Sequence, residues 1–185
     1  MDRAVRDRIF ALIDEGWEVW AQFDDEVRRN SWHPFVAADY EMVLEALIPL
    51  YEPGLRFLEW GSATGVVTII ADLLGFDAYG IELDARLVEK ARGLARKYDS
   101  RARFAEGSFL PTGYQWRPQS NDGRLGTIGV GPSGYGQLGH ELDEFDIVYA
   151  YPWGGEEPLM RDLFRECGRK GARLLLHGDN DVHVY

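Results

Sequence analysis

The stretch Phe57-Leu58-Glu59-Trp60-Gly61-Ser62-Ala63-Thr64-Gly65 decides how the rest of the chain reads. With Leu55 and Arg56, its first half is a short apolar run of strand length that stops at Gly61. Its second half leads into Gly65 to Leu74, an apolar stretch that suits one buried helix. A strand feeding a helix through a glycine turn opens a βαβ unit. Gly61 lets the chain turn sharply and lets a ligand approach the backbone. The free N–H groups at the next helix start favour a carboxylate or other polar ligand.

Downstream, the same alternation repeats. Ala78-Tyr79-Gly80-Ile81 reads as a second strand ending at Glu82. From Asp84 to Tyr98, Leu87, Ala91, Leu94, Ala95 and Tyr98 fall at helical spacing, with Asp84 as N-cap. Ala102–Ala105, Phe145–Ala150 and Arg173–Leu176 read as further strands, and Leu159 to Cys167 as a helix. Upstream, residues 3–29 and 36–50 read as amphipathic helices, separated by Asn30-Ser31-Trp32-His33-Pro34 and closed by Pro53-Gly54. The expectation is an α/β fold: a three-layer, doubly wound, mostly parallel sheet. It forms one domain over 1–185, with a helical cap over 1–53 and an α/β core over 54–185. Residues 111–140 hold eight glycines and three prolines with no helical period. That leaves a long loop over 110–144, with either a hairpin near Leu125–Val130 or a lid over the site. Glu82 closes the second strand, where an acid can accept both hydroxyls of a ribose. Ligands of open α/β sheets lie beyond the carboxyl ends of the strands, where Gly61 and Glu82 would meet.

These residues resemble the class I S-adenosylmethionine-dependent methyltransferases over about residues 55–178. Glu59-x-Gly61-x-Ala63-x-Gly65 is similar to their first motif, Glu82-Leu83-Asp84 to their second-strand acid motif, and Glu106-Gly107-Ser108-Phe109-Leu110-Pro111 to their third motif. The resemblance implies a Rossmann-like methyltransferase fold with S-adenosylmethionine as cofactor. It also implies roles. The backbone from Gly61 through Ser62, Ala63 and Thr64, closed by Gly65, would lie against the methionine part. Glu59 would orient that loop or reach the cofactor amine through water. Glu82 would hold the ribose, Leu83 would pack on the adenine, and Ser108 with the Phe109 backbone would meet the adenine edge. Ala63 stands where the family has its middle glycine, and Ser108 where it often has aspartate. The family usually adds an antiparallel strand pair after strand five. Val182-His183-Val184-Tyr185 supplies one strand of that pair, so a shortened pair is expected, and an unpaired edge there would invite oligomerisation.

Catalytic candidates follow strands four and five. Ala150-Tyr151-Pro152-Trp153 is similar to the Asn/Asp-Pro-Pro-Tyr motif of amino-methylating members, with Ala150 in the polar position and Tyr151 in that of the first proline. The side chain that would bond an amino group is absent. Tyr151 and Trp153 therefore either meet the acceptor or, with Pro152, shape the pocket wall. His177 is a candidate general base, since a free imidazole titrates at about 6.5. Asp179-Asn180 is similar to a metal pair of catechol-type O-methyltransferases. Ala150 replaces the aspartate that would complete such a set, so a turn is expected and no metal. Trp32-His33-Pro34-Phe35 forms either a substrate lid or a hydrophobic staple for the next helix. Tyr114, Trp116 and Tyr135 line an acceptor pocket or anchor the long loop. Cys167 belongs to the core.

The bulk composition narrows the partners. A formal charge of −11 repels phosphate backbones and anionic lipids, which disfavours nucleic acid and suits a small or cationic substrate. Met1 to Arg8 has no apolar segment behind it, no apolar run approaches the ~20 residues of a membrane span, and one cysteine allows no internal disulfide. A reducing cytoplasm is expected. The resemblance implies an enzyme that transfers a methyl group from S-adenosylmethionine to a small molecule or an exposed side chain, with a protein that binds the cofactor without turnover as the alternative. An NAD(P)-dependent oxidoreductase is a lesser one, because Gly61-Ser62-Ala63-Thr64-Gly65-Val66 fits G-x-G-x-x-G poorly.

Overall fold

A computed structural model describes residues 1–28, 35–115 and 131–185 of the 185. Five strands form a parallel sheet: β1 Arg56–Trp60, β2 Asp77–Glu82, β3 Arg103–Glu106, β4 Ile147–Ala150 and β5 Arg173–His177. A sixth, β6 Val182–Val184, pairs antiparallel with β5, giving the order β3-β2-β1-β4-β5-β6. The mostly parallel, doubly wound sheet expected from the alternation is therefore present. One strand of the expected C-terminal pair is present among the described residues.

The helices are α1 Arg3–Phe23, α2 Tyr40–Leu47, α3 Val66–Leu74, α4 Ala85–Lys97, α5 Tyr135–Leu138 and α6 Glu157–Cys167. They cover both faces of the sheet. Phe57, Ala78 and Leu175 pack beneath α1 to α4, with Ile9, Leu12, Val43, Val67, Ile70 and Ala91. Leu58, Trp60, Ile81, Val148, Leu174 and Leu176 pack beneath α5 and α6, with Tyr135, Leu159, Met160 and Leu163. Successive strand residues point to opposite faces, so Glu59 and Trp60 serve different layers.

Three expectations are corrected. The first helix does not run regularly to residue 29: beyond Phe23 the chain widens into a π-helical turn, Asp24–Arg28. The second does not start at residue 36. Residues 35–39 are non-helical, and α2 begins where the Asp39 side chain accepts the Met42 N–H. The 110–144 stretch is not structureless throughout. A parallel bridge joins Ser108 to Ser133, α5 follows, and a 3-10 turn spans Leu142–Glu144. The hairpin expected near Leu125–Val130 lies outside the described residues, as do Trp116 and Asn30 to Pro34.

Candidate functional site

The turn after β1 is fixed by backbone geometry. Gly61, Ala63 and Gly65 have φ of +71°, +46° and +78°. Glycine takes this region freely, whereas Ala63 bears a cost of roughly 1 kcal/mol. Gly61 and Ser62 both donate N–H to the Ile81 carbonyl at 2.9 Å. A Cβ on Gly65 would stand 2.6 Å from the Phe104 ring and 2.7 Å from the Ala91 Cβ. The missing side chain thus lets α3 start close against α4 and β3.

Glu82 stitches this turn to the end of β2. One carboxylate oxygen accepts the Ala63 N–H at 2.8 Å and the other the Asp84 N–H at 2.9 Å. Burial raises its pKa, opposed by these backbone donors. Asp84 caps α4 by accepting the Arg86 N–H and pairs with the Arg86 guanidinium.

Gly61 and Glu82 line one cavity of about 430 Å³ at the carboxyl ends of the strands. Of the residues expected at a cofactor, Ala63, Leu83 and Phe109 line it too. The others stand behind its wall. Glu59 is buried and accepts both the N–H and the hydroxyl of Thr68, which ties β1 to α3. Burial pushes its pKa to about 8, so the carboxyl is protonated at neutral pH. Thr64 is buried, and its side chain opposes the rise that burial imposes on the pKa of the Tyr40 phenol. Ser62 packs against Gly80, whose added Cβ would meet the Ser62 Cβ at 2.7 Å. Ser108 is engaged by the returning chain: its N–H donates to the Pro132 carbonyl at 2.8 Å, and its carbonyl accepts the Gly134 N–H at 2.9 Å.

The other end of the cavity is aromatic. Tyr151, Pro152 and Trp153 line it, with Tyr151 and Trp153 over a third exposed. Tyr151 stacks on His177 at 4.3 Å between centroids. His177 itself is buried, and its Nε2 accepts the Asp39 N–H at 3.2 Å. The nitrogen a general base would use is thus committed to pinning β5 to the start of α2. Burial lowers its pKa. Phe35 lines the cavity and packs on Phe23 and Leu87, so this end of the expected lid-or-staple segment forms wall. Asp179 also lines the cavity, on a turn closed by Gly178 N–H to the Asp181 carbonyl.

Trp60 was not singled out by sequence reasoning, yet it is among the residues that line the cavity, at only 2% exposure. Its Nε1–H donates to the Tyr135 hydroxyl at 2.9 Å, and Phe109 stacks on it at 5.2 Å. The usable signal was its place: last in a strand that ends at the turn, on the face opposite Glu59. Tyr135 thus anchors the long segment, and Tyr114 does the same by donating to Asp162 on α6 at 2.9 Å. Cys167 packs at the edge of the core under α6, and burial raises its pKa. Among the described residues, no three His, Cys, Asp or Glu side chains converge as a metal ion requires.

No family model matches the chain. Two curated proteins do, both ribosomal protein L11 methyltransferases. That of Thermus thermophilus is 36% identical over 75 residues, 39% of this chain and 30% of that protein. That of Paraburkholderia xenovorans is 25% identical over 138 residues, 74% of this chain and 36% of that protein. The chain thus spans about a third of the length of these relatives. Among solved structures, the RNA methyltransferase of Salinibacter ruber, in complex with S-adenosyl-L-homocysteine, superposes with a TM-score of 0.51. It is 19% identical, with 72% of each chain covered, a likeness of fold.

Proposed function

We propose that this chain, which belongs by fold with the class I S-adenosylmethionine-dependent methyltransferases, binds S-adenosylmethionine in the cleft and transfers its methyl group to an acceptor. One observation carries the reading: Gly61 and Glu82, on neighbouring strands, line a single cavity of about 430 Å³. That size suits a small-molecule ligand. When bound, the cofactor supplies an electrophilic methyl group on a sulfonium.

The protein's own groups divide the remaining work. The turn from Gly61 to Ala63 presents backbone to the methionine part. Each Glu82 oxygen accepts one backbone N–H and so keeps lone-pair capacity for a ribose hydroxyl. Leu83 and Phe109 give the adenine apolar walls. Glu59 and Thr64 act from behind, holding the turn through Thr68 and Tyr40. Ser108 shapes the wall by anchoring residues 132–134, in place of a direct contact to the adenine edge. Tyr151 and Trp153 orient the acceptor and exclude water, which supplies proximity to the methyl group. His177 supports Tyr151 by stacking and takes no proton.

We propose a small molecule as acceptor, because a charge of −11 disfavours nucleic acid. No helix among the described residues is long and apolar enough to cross a membrane, and a single cysteine suits a reducing cytoplasm.

Calorimetric titration tests the cofactor. S-adenosylhomocysteine should bind and NAD(P) should not. Absence of S-adenosylhomocysteine binding, or binding of NAD(P) in its place, defeats the reading. Binding without methyl release onto any acceptor would leave a cofactor-binding protein.

A further inference from the structure

A second polar cluster lies towards the amino ends of the strands, away from the cleft, where Arg56, Asp77 and Arg103 each open a strand. Tyr79 on β2 is buried, and its hydroxyl stands between Asp77 Oδ2 at 2.9 Å and His140 Nε2 at 3.0 Å. The other ring nitrogen of His140, Nδ1, faces Glu144 Oε1 at 3.2 Å. Cations keep both carboxylates ionised. Asp77 pairs with Arg103 at 2.6 Å and with Arg56 at 3.6 Å. Glu144 pairs with Arg56 at 3.2 Å, and its other oxygen accepts the Glu141 N–H at 2.9 Å. That backbone donor, and after it His140, holds the Glu144 carboxyl below the usual carboxylate range. Asp146 completes the charges nearby, accepting the Arg56 N–H and pairing with Arg169. The Arg103 guanidinium lies over the Tyr79 ring, and Phe145 meets the imidazole edge-on.

The protons of this cluster do not suffice when the imidazole is neutral. A hydroxyl carries one proton, and an ionised carboxylate carries none. Tyr79 therefore donates to Asp77 or to His140, not to both. A neutral imidazole has one N–H and one bare nitrogen. With its proton on Nδ1, His140 serves Glu144 and draws the Tyr79 proton away from Asp77. With its proton on Nε2, it serves Tyr79 and turns a lone pair towards Glu144. The doubly protonated ring satisfies all three contacts at once: Nδ1–H to Glu144, Nε2–H to the Tyr79 oxygen, and the Tyr79 hydroxyl to Asp77. Removing one ring proton leaves one of these pairs in contact through lone pairs alone, which is unfavourable.

His140 is placed to pass this choice along the chain. It follows Gly139, which closes α5, and precedes the 3-10 turn Leu142–Glu144. Upstream on the same segment, the Tyr135 hydroxyl accepts the Trp60 indole N–H, and Pro132 and Gly134 dock on Ser108, whose neighbours Gly107 and Phe109 line the cleft. We propose that His140 is a proton-operated latch: its charged ring clamps the returning segment to β2 through Tyr79, and loss of one ring proton releases a bond of the clamp and loosens α5. Histidine is the side chain suited to this, because its charge changes near neutral pH. The latch stands apart from the cofactor reading, since it rests on the fold and on groups outside the cleft.

The test follows the intact chain by nuclear magnetic resonance from about pH 5.5 to about pH 8, the range in which imidazoles change charge. Hydrogen exchange, corrected for the intrinsic rate at each pH, is read at the Leu138 and Gly139 amides, which donate to Gly134 and Tyr135. The ring nitrogen signals of His140 are recorded in the same samples. Protection of the two amides should fall about tenfold as pH rises, the scale of one lost hydrogen bond to a charged group, and with the same midpoint as the His140 ring. Tyr79→Phe removes the shared hydroxyl and leaves the imidazole, so the step should vanish. His140→Phe should remove it as well. Glu59 and His177 also titrate, but they sit on the face of the sheet that packs under α1 to α4, so Glu59→Gln should leave the step in place. Constant protection across the range overturns the latch. So does a midpoint that differs from that of the His140 ring, or a step that survives in Tyr79→Phe. Should the Tyr79 and His140 variants not fold, the two midpoints in the wild-type chain decide.

Discussion

The two ends of the cleft are built from different materials. Beneath β1 and β2 the geometry is set by main chain: the N–H groups of Gly61, Ser62, Ala63 and Asp84 all find partners on β2 or its final carboxylate. Beyond β4 and β5 it is set by side chains: Tyr151 leans on His177, and Trp153 is over a third exposed. A main-chain site has one solution, because φ and N–H directions cannot be exchanged residue for residue. A side-chain site can be repacked, which is where a ligand preference can change without unmaking the fold.

The largest test of this contrast is Gly65→Val. The added Cβ meets Phe104 and Ala91 well inside contact distance, at a φ that side chains avoid. Urea denaturation should show a loss of about 3 kcal/mol. A loss below about 1 kcal/mol would mean the main-chain end is softer than described.

Next comes Glu82→Ala, which orphans the Ala63 and Asp84 donors. It should cost about 1–3 kcal/mol of stability and weaken S-adenosylhomocysteine by about tenfold or more, read by calorimetry. Glu82→Gln keeps one acceptor oxygen and should cost less on both counts.

Glu59 sharpens the comparison from behind the wall. Its folded pKa of about 8 lies above the ordinary value of 4.5, so the fold keeps a proton that the unfolded chain releases. The stability this contributes is complete below about pH 4.5 and is lost as pH rises towards 8. Between pH 6 and 7 the slope should be about 1 kcal/mol per pH unit, and Glu59→Gln should flatten it. An unchanged slope in the variant would assign the titration to another group.

The smallest effect belongs to the side-chain end. Trp153→Ala should change stability by no more than about 0.5 kcal/mol in the same denaturation assay. A larger loss would make Trp153 part of the scaffold, and the contrast between the ends would weaken.

What was legible in the sequence follows the same division. The turn at Gly61 and the cap at Asp84 are local events written in local residue types, and both stand where the chain suggested. The strand alternation was equally plain, because a buried parallel strand is a short apolar run. Trp60 escaped notice because the same residue serves core and cavity, and only its neighbours decide which. His177 read as a candidate base because no local pattern reveals that Asp39, far along the chain, holds its Nε2. The late start of α2 was hidden for a related reason. Nothing in Val36, Ala37 and Ala38 marks a break locally, yet Val36 lines the cavity and Ala37 and Ala38 pack in the core ahead of the helix. Ser108 matched a motif by position, and what no local pattern showed is that its main chain pairs with Pro132 and Gly134 while its hydroxyl accepts the Leu110 N–H.

That long segment is moored on both banks. Tyr114 holds the departing side to Asp162, while Pro132, Ser133 and Gly134 dock the returning side against Gly107 and Ser108. Because Gly107 and Phe109 beside that returning side line the cavity, loosening either mooring should be felt at the wall of the cleft.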